Sequence, residues 1–331
     1  MEKMEWNPKR ILETSGGYWA GCTLHAAVKL DIFSALADRE MTASVLAKKV
    51  KCNSRSLEMI LNAATAMNLL EKKGEKFRNS DASRNFLAKD SPRYIGNIIC
   101  HHNHLVESWS KLDKAVKTGK PVRTRASWDD KKIRESFLMG MFNIASNLAP
   151  EIVKKVDLSG RGNFLDLGGG PGTYAIHFCL SNPKLRGTVY DLPTTKPFAQ
   201  KTVKRFKLEK RIDFQPGDFT KNPIKGSYDV AWLSHILHGE NPTSCQKVVK
   251  KAVTALNPGG MIMIHEFILN NTMDGPLFPA LFSLNMLLGT HGGQAYSENQ
   301  LIDMLKKEGI KKIRRLDFRG PNDSGIIAGI K

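Results

Sequence analysis

Four glycines and a proline stand together in Asp166-Leu167-Gly168-Gly169-Gly170-Pro171-Gly172, after an apolar run and before a helix-forming one. Glycine at such a strand-to-helix turn lets the backbone approach a ligand closely and take positive φ without a Cβ clash. A plain tight turn needs one or two glycines, not four. The spacing is neither G-x-G-x-x-G nor the phosphate-loop pattern ending in Lys-Ser/Thr, so a pyrophosphate is not the expected ligand. At the end of the next apolar run stands Asp191, where an acid can accept hydrogen bonds from ribose hydroxyls. After the third run comes Gly217-Asp218-Phe219. There the carboxylate suits the amino group of adenine and the ring suits its face. Three such features at successive strand ends point to an adenosine-bearing ligand. A histidine cluster, His101-His102-Asn103-His104, has two rings on one helical face but no acid or cysteine nearby in sequence, so no metal site is expected.

To bring these residues to one edge, the chain from about 150 onward must alternate strand and helix. Phe164–Leu167, Gly187–Tyr190, Ile212–Phe214, Tyr228–Leu233 and Met261–His265 are short apolar runs, with helical stretches such as Cys245–Leu256 between them. That alternation is the signature of a doubly wound parallel sheet. Ile310–Phe318 and Gly325–Ile330 would add a closing antiparallel pair. The expected fold is α/β, a Rossmann-like, mostly parallel seven-stranded sheet. Ahead of it the spacing predicts helices over Ala26–Leu36, over Met41–Ala47 with Thr42 as N-cap, and from Leu57 to about Leu70. A polar hairpin turning at Gly74 follows, which is the order of a winged helix-turn-helix. The expected domains are 1–105 (winged helix), 106–150 (connecting helices) and 151–331 (ligand-binding sheet).

The chain has 331 residues, 41% hydrophobic and 25% charged, an ordinary globular composition. No stretch is long and apolar enough to span a membrane, and the first residues lack the core of a signal peptide. Five scattered cysteines with no C-x-x-C pair argue against a disulfide framework. A cytoplasmic protein is expected. The net charge of +18 is spread along the chain, mostly as lysine at polar helix positions, which favours a solvated surface over a nucleic-acid footprint.

Across nearly its whole length the sequence resembles the class I S-adenosylmethionine-dependent O-methyltransferases that carry an N-terminal winged-helix dimerisation domain, with caffeate-type, hydroxyindole-type and bacterial members. The resemblance runs through Leu30-Asp31-Ile32-Phe33, Ala115–Pro121, Asp166–Gly172, Gly217-Asp218-Phe219, Leu256-Asn257-Pro258-Gly259-Gly260 and Thr290-His291-Gly292-Gly293. It implies S-adenosyl-L-methionine as cofactor, with Gly168 and Gly170 holding its methionine part, Asp191 the ribose, and Asp218 and Phe219 the adenine. Met141 would line the methyl-transfer site, and Ser234, just after the fourth strand run, joins the cofactor-binding set. It also implies a homodimer, and a hydroxylated aromatic or heteroaromatic small molecule as acceptor.

The family's general base is a His in a Leu-His-Asp-Trp segment. Ile236-Leu237-His238-Gly239-Glu240 stands in that place, so the resemblance makes His238 the base and Glu266 the carboxylate that orients it. Imidazole suits the task, because it titrates near neutrality and can take a phenolic proton as the oxygen attacks the methyl carbon in line. His235 reads as a packed or capping residue. Two departures stand out: Gly239 follows the base where the family has Asp, and Ala295 occupies the place of a second orienting acid. A more acidic acceptor would fit that loss. Phe137, Met139, Met141, Phe278, Phe282, Met286 and Leu287 would shape the acceptor pocket, with the His101–His104 helix nearby. Two other readings remain: an N- or C-methyltransferase on the same fold, or a ligand-sensing DNA-binding regulator, for which residues 53–60 offer only Asn53 and Arg55 to a groove.

Overall fold

The computed structural model describes residues 5–125 and 131–331. The chain divides into two compact units, residues 1–106 and 107–331.

The first unit holds α1 (Pro8–Gly16), α2 (Tyr18–Lys29), α3 (Ile32–Leu36), β1 (Met41–Thr42), α4 (Ala43–Val50), α5 (Ser54–Ala66), β2 (Leu70–Lys73), β3 (Lys76–Asn79) and α6 (Asp81–Phe86), and α7 (Gly96–Trp109) begins in it. Its small antiparallel sheet has the order β1-β3-β2, and Gly74 turns the β2–β3 hairpin at φ 57°. Three expectations need correction. The helix predicted over Ala26–Leu36 is two helices, because Asp31 adopts φ 60° and ends the ladder between them; Asp is among the residues that tolerate this conformation. Met41 and Thr42 pair with Phe77 and Lys76 as a strand, and Thr42 then caps α4 through Val45 N–H. The third helix stops at Ala66, and Leu70 already belongs to β2.

The second unit contains α8 (Leu112–Thr118), α9 (Lys131–Lys155), β4 (Asn163–Leu167), α10 (Thr173–Ser181), β5 (Arg186–Asp191), α11 (Lys196–Arg205), β6 (Ile212–Pro216) and β7 (Tyr228–Ser234). It continues with α12 (Pro242–Ala255), β8 (Leu256–Leu269), α13 (Leu277–Gly289), β9 (Tyr296–Ser297), α14 (Glu298–Lys307), β10 (Lys311–Arg319) and β11 (Ser324–Ile330). The sheet order is β10-β11-β8-β7-β4-β5-β6, with the two-residue β9 added to β8. Strands β4 to β8 run parallel, and β11 and β10 close the edge antiparallel. Alternate residues feed two cores: Phe164, Val230 and Trp232 on one face, Leu165, Leu167, Ala231 and Leu233 on the other. That is the period of two that a sheet covered on both faces requires. The order reverses at β4, whose neighbours are β5 and β7, so a crevice opens beyond its carboxyl end. The glycine turn, Asp191 and the end of β7 all lie at that edge.

Candidate active site

The glycine turn is built tightly. Gly168 takes φ 67°, its N–H donates to Tyr190 O at 2.7 Å, and a Cβ there would sit 2.6 Å from Ile236 Cγ2 and 3.2 Å from Phe219 Cε1. Gly170 also has positive φ (53°), but a Cβ on it would meet only Leu138 Cδ2, at 3.9 Å. So Gly168 is glycine because it is packed, whereas a Cβ on Gly170 would make only an ordinary contact. Leu138 and Met141 stand three apart on α9 and share a helix face.

Asp191 accepts from Gly170 N at 2.8 Å, from Leu192 N at 2.6 Å and from Thr195 Oγ1 at 3.0 Å. Burial nevertheless holds its carboxyl above the usual range. A carboxylate has about four lone-pair sites, so one remains for a hydroxyl. Asp218 accepts from Thr220 N at 2.9 Å and Oγ1 at 2.6 Å, with Lys221 Nζ 3.4 Å away. Burial pushes its carboxyl up, but these hydrogen bonds outweigh that and leave it below the usual value. Asp166, one strand residue before the turn, is 1% exposed. Its Oδ2 caps Ala175 N at 3.1 Å, Oδ1 has no partner, and burial raises its carboxyl to about 7.

The third feature lies between the ends of β7 and β8. Glu266 is 1% exposed, and its Oε1 accepts from Leu237 N at 2.9 Å and His238 N at 3.3 Å. Its Oε2 lies 2.7 Å from His238 Nδ1 and 3.5 Å from His235 Nδ1. Burial alone would raise this carboxyl, but the adjoining imidazoles outweigh burial and hold it far below its ordinary value. His238 Nε2 makes no hydrogen bond with the described residues. The His238 ring lies edge-on to Phe282 at 4.8 Å and stacks on Phe267 at 6.2 Å; Phe278 is 4.9 Å from Phe267. Of the other pocket candidates, Met286 is buried and Phe137, Met139 and Leu287 are half-buried.

The segment after His238 is held in place. Arg125 Nη1 donates to Glu240 Oε1 at 2.8 Å, and its Nη2 donates to Gly239 O. A Cβ on Gly293 would lie 2.5 Å from His238 O, so the Gly-Gly segment packs on the turn that carries His238. Ala295 is 1% exposed and its N–H donates to Ser283 Oγ. The Ser234 hydroxyl is 3.0 Å from His265 Nδ1 on the neighbouring strand. Sequence reasoning passed over two residues that the structure brings to the site, Arg125 and His235. The spacing His-x-x-His was the signal for the second; nothing local marks the first. His235, His238 and Glu266 are the one set of three His, Cys, Asp or Glu side chains, among the described residues, whose polar atoms lie within 4.8 Å of one another. The residues of His101–His104 are not part of any such set. No helix among the described residues is long and apolar enough to cross a membrane.

Residues 109–311 match the O-methyltransferase domain family and residues 12–89 the O-methyltransferase dimerisation domain family. The chain is 31% identical to the 3-hydroxy-5-methyl-1-naphthoate 3-O-methyltransferase of Streptomyces sahachiroi, over 98% of this chain and 95% of that protein. It is similar to the structure of PigF with SAH, with TM-score 0.91 and 26% identity over 98% of this chain and 100% of the other. It is also similar to human N-acetylserotonin methyltransferase in complex with SAM, with TM-score 0.89 and 26% identity over 100% and 99% of the two chains.

Proposed function

This chain belongs to the O-methyltransferase family, and on that premise we propose that it methylates the hydroxyl of a small aromatic or heteroaromatic acceptor, with His238 as general base. It is an S-adenosylmethionine-dependent methyltransferase. The residues present fit that cofactor: the space over Gly170 is clear, and two carboxylates stand at the ends of the strands that follow. Gly168, Gly170, Asp191, Asp218, Phe219 and Met141 would hold it, with Ser234 at the edge of the set. When bound, it supplies a methyl carbon already activated by its sulfonium.

The chain's own task is then positioning and proton removal. Aromatic rings from β8 and α13 flank His238 and can hold a flat acceptor against it. Orientation of this kind is worth up to ~7–11 kcal/mol of barrier. The reading is carried by one observation, the 2.7 Å contact from His238 Nδ1 to a carboxylate that two backbone N–H groups already fix. It commits the proton to Nδ1 and leaves the Nε2 lone pair to take the acceptor's proton. We further propose that the protein works as a homodimer through its N-terminal unit.

The test is turnover of His238→Ala and His238→Gln on a panel of hydroxynaphthoates and hydroxyindoles with labelled cofactor. Turnover should fall by ~10²–10⁴ while affinity for S-adenosylhomocysteine stays within about twofold. Unchanged turnover on an accepted substrate would remove His238 as the base.

A further inference from the structure

We propose that His235 is a positioning residue, a second imidazole that shares Glu266 with His238 and tempers the basicity of that base. The inference rests on the reading of His238 above, but concerns a different side chain and a different measurement.

The geometry starts at the carboxylate. Glu266 Oε1 is taken by the N–H groups of Leu237 and His238, so only Oε2 faces side chains. Two Nδ1 atoms converge on it, His238 at 2.7 Å and His235 at 3.5 Å. His235 Nδ1 is buried and makes no hydrogen bond among the described residues, so its 3.5 Å approach to Glu266 Oε2 is a charge contact. A bare Nδ1 lone pair aimed at a carboxylate would be repelled, so the tautomer that places the proton on Nδ1 is favoured in both rings.

His235 is held in this place at a backbone cost. It takes φ 55°, uncommon for a residue with a side chain, although His adopts it more readily than most. Its N–H donates to His265 O at 2.8 Å, and its ring packs on Phe267 at 4.3 Å and His265 at 4.4 Å. Strain of this kind persists where the surroundings fix it, often at a functional site. Ala295, at the position the family gives to a second acid, brings no carboxylate to the base. The structure instead places a second imidazole on the one acid that remains.

The electrostatic consequence has a definite sign. A carboxylate beside His238 stabilises its protonated form. A second N–H on the same oxygen draws off part of that negative charge, and a second cation there would oppose it. His235 therefore makes His238 a weaker base than Glu266 alone would. The other titratable groups around His235 do not reverse this. His265, on β8, is driven well below its ordinary value by burial and stays neutral; Arg125 and Glu240, beyond Gly239, are paired with each other. From β7 comes the Ser234 hydroxyl, and the α13 ring against His238 is the apolar Phe282.

The experiment is an NMR titration of the His238 imidazole in the full-length protein bound to S-adenosylhomocysteine, its resonance assigned by its loss in His238→Gln. His235→Phe keeps the ring and removes the donor. His235→Gly, which accepts the positive φ freely, does so without a bulky side chain in case the first variant folds poorly. Both should raise the His238 midpoint by ~0.5–1 unit. His235→Asn, whose amide N–H hangs from the same carbon as Nδ1 and which tolerates positive φ, should return it to within ~0.2 unit of the wild type. Equal midpoints in all four proteins, a downward shift, or failure of Asn to restore the value would each overturn the proposal. No acceptor is present, so this outcome is separate from whether His238 removes an acceptor proton, which the turnover of His238→Ala decides.

Discussion

Asp166 and Glu266 are both 1% exposed and burial pushes both carboxyls up, yet their net shifts run in opposite directions. Glu266 receives donors on both oxygens and its proton affinity drops. Asp166 has a bare Oδ1, one backbone donor and no cation, and burial raises its carboxyl to about 7. The sign for stability follows. The folded chain holds a proton on Asp166 more tightly than the unfolded chain, whose value is near 4, so the contribution is full below pH ~4 and is lost as pH rises toward 7. Asp166→Asn stays neutral and can present its oxygen to Ala175 N. Its Tm, read by scanning calorimetry, should therefore decline less than the wild type's between pH 4.5 and 8, by ~2–4 °C; parallel curves would mean that Asp166 does not titrate there. At this scale the sequence was informative where a residue type and a strand end coincide, as for Asp191 and Asp218. For His235 it offered the His-x-x-His spacing but not the direction of the ring, which a turn at φ 55° decides.

Elements translate those residues into a surface, and the two key glycines show how differently. Gly168→Ala would combine left-handed strain with a Cβ 2.6 Å from Ile236 Cγ2. It should cost ~1–3 kcal/mol of stability and also weaken S-adenosylhomocysteine binding. Gly170→Ala carries the same left-handed strain but meets no side chain closer than 3.9 Å, and on the proposed reading its methyl falls in the cofactor's space. It should cost less stability than Gly168→Ala and still lower affinity tenfold or more, ~1.4 kcal/mol, in calorimetric titration. Equal Tm losses in the two variants would contradict this division. Hydrophobic period made the strands from β4 to β8 and the closing antiparallel pair legible, since each has a covered face. It failed at Asp31 because the apolar spacing runs unbroken through Leu30-Asp31-Ile32, while the helix itself ends there on one dihedral angle. It also missed β1, two residues long and defined only by their pairing with Phe77 and Lys76.

For the whole molecule, Trp6 and the first two helices carry large apolar side chains that the described residues leave exposed: Trp6 at 62% exposure, Leu12 at 71%, Tyr18 at 64% and Trp19 at 68%. Scattered single apolar residues are ordinary on a surface, but several large ones on adjacent helices mark an association face. The dimerisation family match begins at residue 12, inside α1. Against this stands a net charge of +18 on each copy, so two copies repel. In the proposed homodimer, apolar contact would therefore drive association. Salt shortens the range of charge repulsion, to ~3 Å at 1 M from ~10 Å at 0.1 M, and leaves apolar burial intact. Dimerisation measured by sedimentation equilibrium should then tighten as salt rises from 0.05 to 0.5 M. A Leu12→Asp, Trp19→Asp variant should sediment as a monomer at micromolar concentration with an unchanged circular dichroism spectrum. If the dimer weakened with salt, attraction between opposite charges would hold it instead; if the double variant remained dimeric, the interface would lie away from α1 and α2.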